Sequence, residues 1–170
     1  YFVKYIHYKK FIVSSGNYSI EKVYETKIID DRFNFKWITH LDPSPINEVK
    51  NLEKIINFFN KLTEDENYII ITDYQFIMTK IKKNRNIFVN KWYHEGVSYP
   101  RETSQNFDYY KKFLIKKISD NNVIRIFFIY PSWSKFSNRE YFIRVFSNCF
   151  FEEPPSLNKL IESINIKNCY

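Results

Sequence analysis

Two short runs constrain this fold more than anything else in the sequence: Tyr68-Ile69-Ile70-Ile71 and Val123-Ile124-Arg125-Ile126-Phe127-Phe128-Ile129. Both are too short for ordinary helices. Both are nearly continuous in apolar, β-branched and aromatic residues, the pattern of strands covered on both faces. A helical pattern precedes each. Val49, Leu52, Ile56 and Phe59 recur at helical spacing, with Ile55 and Leu62 widening the stripe. Ser44 is placed as an N-cap and Pro45 at the first helical position, where a missing N–H costs nothing. The spacing predicts a helix over Pro45–Leu62. A second helix is predicted over Asn106–Ser119, with Phe107, Tyr110, Leu114 and Ile118 on one face. Asp120-Asn121-Asn122 ends it, because Asn tolerates the left-handed conformation.

The remaining signals fill in an alternation. A helix is expected over Ile20–Ile29 and a strand over Phe33–Leu41, where Phe35, Trp37 and Ile38 suit a pleated surface. A helix is expected over Phe76–Lys83. Ser137-Asn138-Arg139-Glu140 is a capping box opening a helix that runs to about Ser147. Cys149–Pro155 reads as a turn. Leu160, Ile164 and Ile166 share one parity with Glu162, and that charge points to a late edge strand. Strands alternating with helices imply an α/β class, as a layered, Rossmann-like domain with a mainly parallel sheet flanked by helices. The expected division is an N-terminal element, 1–32, followed by the α/β domain, 33–170.

Composition excludes several functions. The chain has 170 residues, two glycines and two cysteines. Gly16 and Gly96 cannot build a phosphate loop or a dinucleotide fingerprint. Two cysteines make neither a disulfide-dense miniprotein nor a cysteine zinc finger. No apolar run is long enough to span a bilayer. The formal charge is +7, but the lysines stand in scattered pairs, and no block of five or six like charges exists. The abundance of Lys, Asn, Ile, Tyr and Phe, with Ala missing, is what AT-rich codons produce, so the charge alone does not argue for nucleic acid.

Ligands of open α/β sheets bind at the carboxyl ends of strands. The first predicted strand leads to Thr39, His40 and Asp42. The second leads to Thr72, Asp73, Tyr74 and Gln75, and the third to Tyr130, Ser132 and Trp133. A long irregular stretch, 84–100, adds Trp92, Tyr93, His94, Glu95 and Tyr99. The ligand-binding candidates are therefore His40, Asp42, Thr72, Asp73, Gln75, Trp92, His94, Tyr99 and Trp133. Asp73 suits a general base or a sugar hydroxyl, and equally a helix cap. The rings of Trp92, Tyr99 and Trp133 suit stacking, and equally a core. Three scattered histidines do not imply a metal site, and no cofactor is expected. Cys149 and Cys169 lie outside any redox motif. In an oxidising compartment a bridge between them ties down the C-terminus; in cytosol both stay reduced.

The stretches Trp37-Ile38-Thr39, Ile70 to Phe76 and Trp92 to Pro100 carry a resemblance. The chain resembles the soluble C-terminal domain of bacterial multi-pass membrane proteins similar to glycosyltransferases of the GT-C superfamily, which use lipid-linked sugars. The resemblance covers about Phe33 to Cys169. It implies an extracytoplasmic (periplasmic) domain behind a membrane part, with Tyr1 close to the cut and 1–32 juxtamembrane. The acidic catalytic residue of that superfamily sits in the membrane part, so the implied role is accessory. The domain binds or positions a glycan or a polyprenyl-phosphate sugar, with the membrane domain of the same parent as partner and no nucleic acid. The alternative is a self-contained soluble enzyme, with Asp73 and His94 as acid and base, in the cytoplasm or outside it.

Overall fold

The computed structural model describes residues 24–32, 36–37, 45–62, 67–72, 74–82, 99–129, 139–147, 149–152 and 161–169. The chain forms two compact units, Tyr1–Lys54 and Ile55–Tyr170.

In the first unit, β1 (Tyr24–Glu25) pairs antiparallel with β2 (Lys36–Trp37), Tyr24 opposite Trp37. A 3₁₀ turn, Thr26–Ile28, follows β1 directly. The helix expected over Ile20–Ile29 is thus a strand and a tight turn across 24–28. The chain then reverses at Asp30, whose carboxylate accepts the Arg32 backbone N–H at 2.7 Å and its guanidinium at 3.0 Å. Helix α1 (Pro45–Lys61) starts in this unit and ends in the second. It starts at the predicted proline.

The second unit is an α/β fold around a mixed sheet. Its strands are β3 (Tyr68–Thr72), β4 (Arg125–Ile129), β5 (Cys149–Glu152) and β6 (Ile161–Cys169), in the spatial order β3-β4-β6-β5. Helix α2 (Phe107–Asp120) links β3 to β4, and α3 (Arg139–Val145) links β4 to β5. β3 and β4 are parallel, with Tyr68 opposite Arg125 and Thr72 opposite Ile129. β6 is antiparallel to both of its neighbours.

Three expectations are corrected here. The sheet is mixed rather than mainly parallel by ladder: among the described residues one ladder is parallel and two are antiparallel. The cause is β6. Strands β3, β4 and β5 point the same way, as the alternation with helices predicts, and β6 turns back and inserts between β4 and β5. β6 is therefore central, not an edge. The edges among the described strands are β3 and β5, and the stretch read as a turn, Cys149–Pro155, begins with β5. Glu162 is tolerated inside because it sits next to the strand's first residue, half-buried, opposite Phe128.

The two faces of the sheet bury different partners. Ile69 and Ile71 of β3, Ile126 and Phe128 of β4, and Ile164 and Ile166 of β6 share a core with Leu114 and Ile118 of α2 and Phe142 and Val145 of α3. The opposite face centres on Phe127. Its ring lies edge-on to Phe58 at 5.9 Å, Phe59 at 5.0 Å and Tyr68 at 5.5 Å, so the end of α1 covers this side. Coverage on both faces is what the continuous apolar runs required. Arg125 interrupts its run at modest cost. It starts the strand, its guanidinium lies 5.7 Å from the Phe127 ring, and its Nε donates to Asn165 Oδ1 at 2.8 Å across the ladder.

Candidate functional site

The site begins where the parallel pair ends. Thr72 and Ile129 are register partners at the carboxyl ends of β3 and β4, so the two strand ends lie side by side, about 5 Å apart. Thr72 is fully buried, and its Oγ1 accepts the Tyr74 backbone N–H at 3.1 Å. That bond turns the chain within two residues of the strand, as Ser and Thr hydroxyls do in local turns.

The segment that follows is held at both ends. Gln75–Thr79 forms a 3₁₀ helix, with Ile77 N–H donating to Tyr74 O at 3.0 Å and Lys80 N–H to Ile77 O at 2.9 Å. Asn60 of α1 closes it: its amide donates to Lys80 O at 3.2 Å and accepts the Lys82 N–H at 2.8 Å. A helix over Phe76–Lys83 was expected, and Asn60 explains the difference. It fixes the chain at Lys80 and Lys82 in a non-helical path, so the tight turn does not propagate. Ile77, Met78 and Ile81 anchor the segment in the interior. The backbone of Gln75 is therefore placed in the first turn after the strand.

The other candidates fall in two groups. His40, Asp42, Asp73, Trp92, His94 and Trp133 lie outside the described residues. Tyr99 is described, and the structure gives it a packing role. It is 3% exposed, with its ring 4.4 Å from Tyr141 and stacked on Tyr110 at 6.5 Å. It belongs to the core beneath α2 and α3 rather than to a surface on which a sugar can stack. The next residue is anchored as well: Tyr141 Oη donates to Pro100 O at 2.7 Å. Burial pushes the Tyr110 hydroxyl above the ordinary tyrosine range.

Two residues that shape this site were not singled out from sequence. Asn60 appeared only as a polar position on an amphipathic helix, and its target lies 20 residues on. Tyr141 sits in α3, and the partner of its hydroxyl, Pro100 O, lies 41 residues back in the sequence.

Cys149 is disulfide-bonded, and the chain's other cysteine, Cys169, is the residue opposite it in the β5–β6 ladder. Among the described residues, no group of three or more His, Cys, Asp and Glu side chains is arranged to hold a metal, and no helix is long and apolar enough to cross a membrane.

No family model matches this chain, nor does any curated protein or solved structure.

Proposed function

We propose that the chain is an extracytoplasmic ligand-binding domain, an accessory part of a membrane-embedded, GT-C-like glycosyltransferase, and not catalytic by itself. In this reading the β3–β4 unit serves as a Rossmann-like half. A glycan or a polyprenyl-phosphate sugar sits at the carboxyl ends of the two strands. Asp73 and Gln75, which follow Thr72 in the sequence, supply hydrogen bonds to sugar hydroxyls.

The observation that carries the reading is the parallel β3–β4 pair ending together at Thr72 and Ile129. That is where open α/β sheets present a crevice. The pinned 74–82 segment supports it, because a binding edge needs a fixed backbone. The Cys149 disulfide supports the compartment, since structural disulfides persist where the environment is oxidising.

The test uses the 170-residue chain with a short-chain polyprenyl-phosphate hexose. Calorimetric binding without transfer of the hexose to water or to an added sugar acceptor is the expected result. Transfer by this chain alone moves the assignment to the self-contained enzyme. Absence of binding removes the ligand class.

A further inference from the structure

Helix α2 has a second face that the core does not use. Leu114 and Ile118 are buried, while Tyr109 is 76% exposed and Phe113 38% exposed, four residues apart on the opposite side. Lys112 and Lys116 complete that face at helical spacing, so Tyr109, Lys112, Phe113 and Lys116 follow one another as i, i+3, i+4 and i+7. On the flank, the Lys117 ammonium lies 5.8 Å from the centre of the Phe113 ring. Two acidic residues border this face: Asp120, paired with Lys116 at 3.0 Å, and Asp108, exposed one turn before Lys112; against them stand Lys112, Lys116 and Lys117. Past the helix end, Ile124 is 48% exposed. It borders a groove of about 590 Å³ whose walls include Ile118, Ile166 and Lys167.

Two aromatic rings one turn apart, facing water and ringed by ammonium groups, form an unusual surface. Solvated helix faces are normally polar throughout. Rings that sit at a lipid headgroup boundary, with lysines reaching phosphates, are the chemistry of interfacial helices. A single-stranded nucleic acid is instead tracked by a basic groove with stacking platforms. We propose that the exposed face of α2 is a peripheral docking surface for an anionic lipid bilayer. Tyr109 and Phe113 enter the headgroup layer, and Lys112, Lys116 and Lys117 meet the lipid phosphates.

This goes beyond the sugar-binding reading and is tested separately, on lipid that carries no sugar. The 170-residue chain is sedimented with vesicles of phosphatidylcholine alone or mixed with phosphatidylglycerol. Binding to the mixed vesicles that weakens with salt is expected, with little on the neutral ones. Removing two positive charges in Lys112→Gln/Lys116→Gln lowers partitioning roughly tenfold or more. Tyr109→Ser/Phe113→Ser lowers it with charge unchanged. All four positions face solvent, so both variants keep the parental melting temperature to within a few degrees. As a second readout, Tyr109→Trp gains emission that brominated lipid quenches. Failure to bind mixed vesicles overturns the proposal. So does vesicle binding that both double variants retain, or retention on single-stranded RNA in place of vesicles. Sugar-phosphate binding by the double variants is unaffected in every case.

Discussion

Cys149 stands directly across from Cys169 at the end of the β5–β6 ladder, and Cys149 is disulfide-bonded. β5 is one of the sheet's two edge strands, and Cys149 is its first residue. A crosslink here holds an edge strand that has a single neighbour among the described strands. It also restricts the unfolded chain, worth about 3 kcal/mol for a loop of this order. Cys149→Ser and Cys169→Ser are expected to lose about that much in denaturant unfolding and to lose it equally. The double variant loses no more than either single one. Reduction of the parent reproduces the loss.

Phe127 is the centre of the sheet face covered by α1. Three aromatic rings and the Arg125 guanidinium meet it. Phe127→Ala is expected to cost about 3–5 kcal/mol, the range for emptying an aromatic site. Phe127→Leu costs less, because it refills most of the volume. Chemical denaturation of both variants checks the order.

The end of α2 rests on a left-handed asparagine. Asn122 has φ 49°, Val123 N–H donates to Ile118 O at 3.0 Å, and Asn122 N–H donates to Ser119 O at 3.0 Å. This is a Schellman stop, with the side chains of Val123 and Ile118 buried in one core cluster. Asn122→Ala is expected to destabilise by about 1 kcal/mol, because a Cβ without a local polar partner is disfavoured there. Asn122→Gly keeps the parental stability or raises it. Thermal unfolding separates the two.

Tyr110 gives the protein an alkaline limit. Burial raises its folded pKa above the unfolded value of about 10. The neutral form is therefore favoured in the folded state. The associated stability is fully present below about pH 10 and is lost as pH rises toward the folded value, because the unfolded chain ionises first. Melting temperature should fall above about pH 10, and Tyr110→Phe should fall less steeply over the same window.

The parts of this fold that were legible in the sequence are those whose burial is written locally. α1 and α2 each show one apolar stripe, and β3 and β4 show none of the alternation of a half-exposed strand. Asn122 was readable because its conformational tolerance is its own property. What was not legible depends on distant partners. β6 looks like an edge strand because Glu162 is in it, and its central place follows from pairing with β4 and β5. The 3₁₀ path after β3 is imposed by Asn60, and nothing near Phe76 announces it. Tyr99 stayed open between a stacking ring and a core ring because, in a chain with 17 Phe and 14 Tyr, aromatic identity does not separate core from cleft. Thr72 was placed just after the β-branched run, and the structure makes it the last residue of β3.

The central claim is that a sugar ligand binds where β3 and β4 end together. Amide chemical-shift mapping during titration with a short-chain polyprenyl-phosphate hexose tests it most directly. The account predicts saturable shifts concentrated at Thr72, Tyr74, Gln75 and Ile129, with Asn122, Ile124 and Lys167 at the far end of β4 unmoved. Shifts confined to that far end, or none at saturating ligand, contradict it.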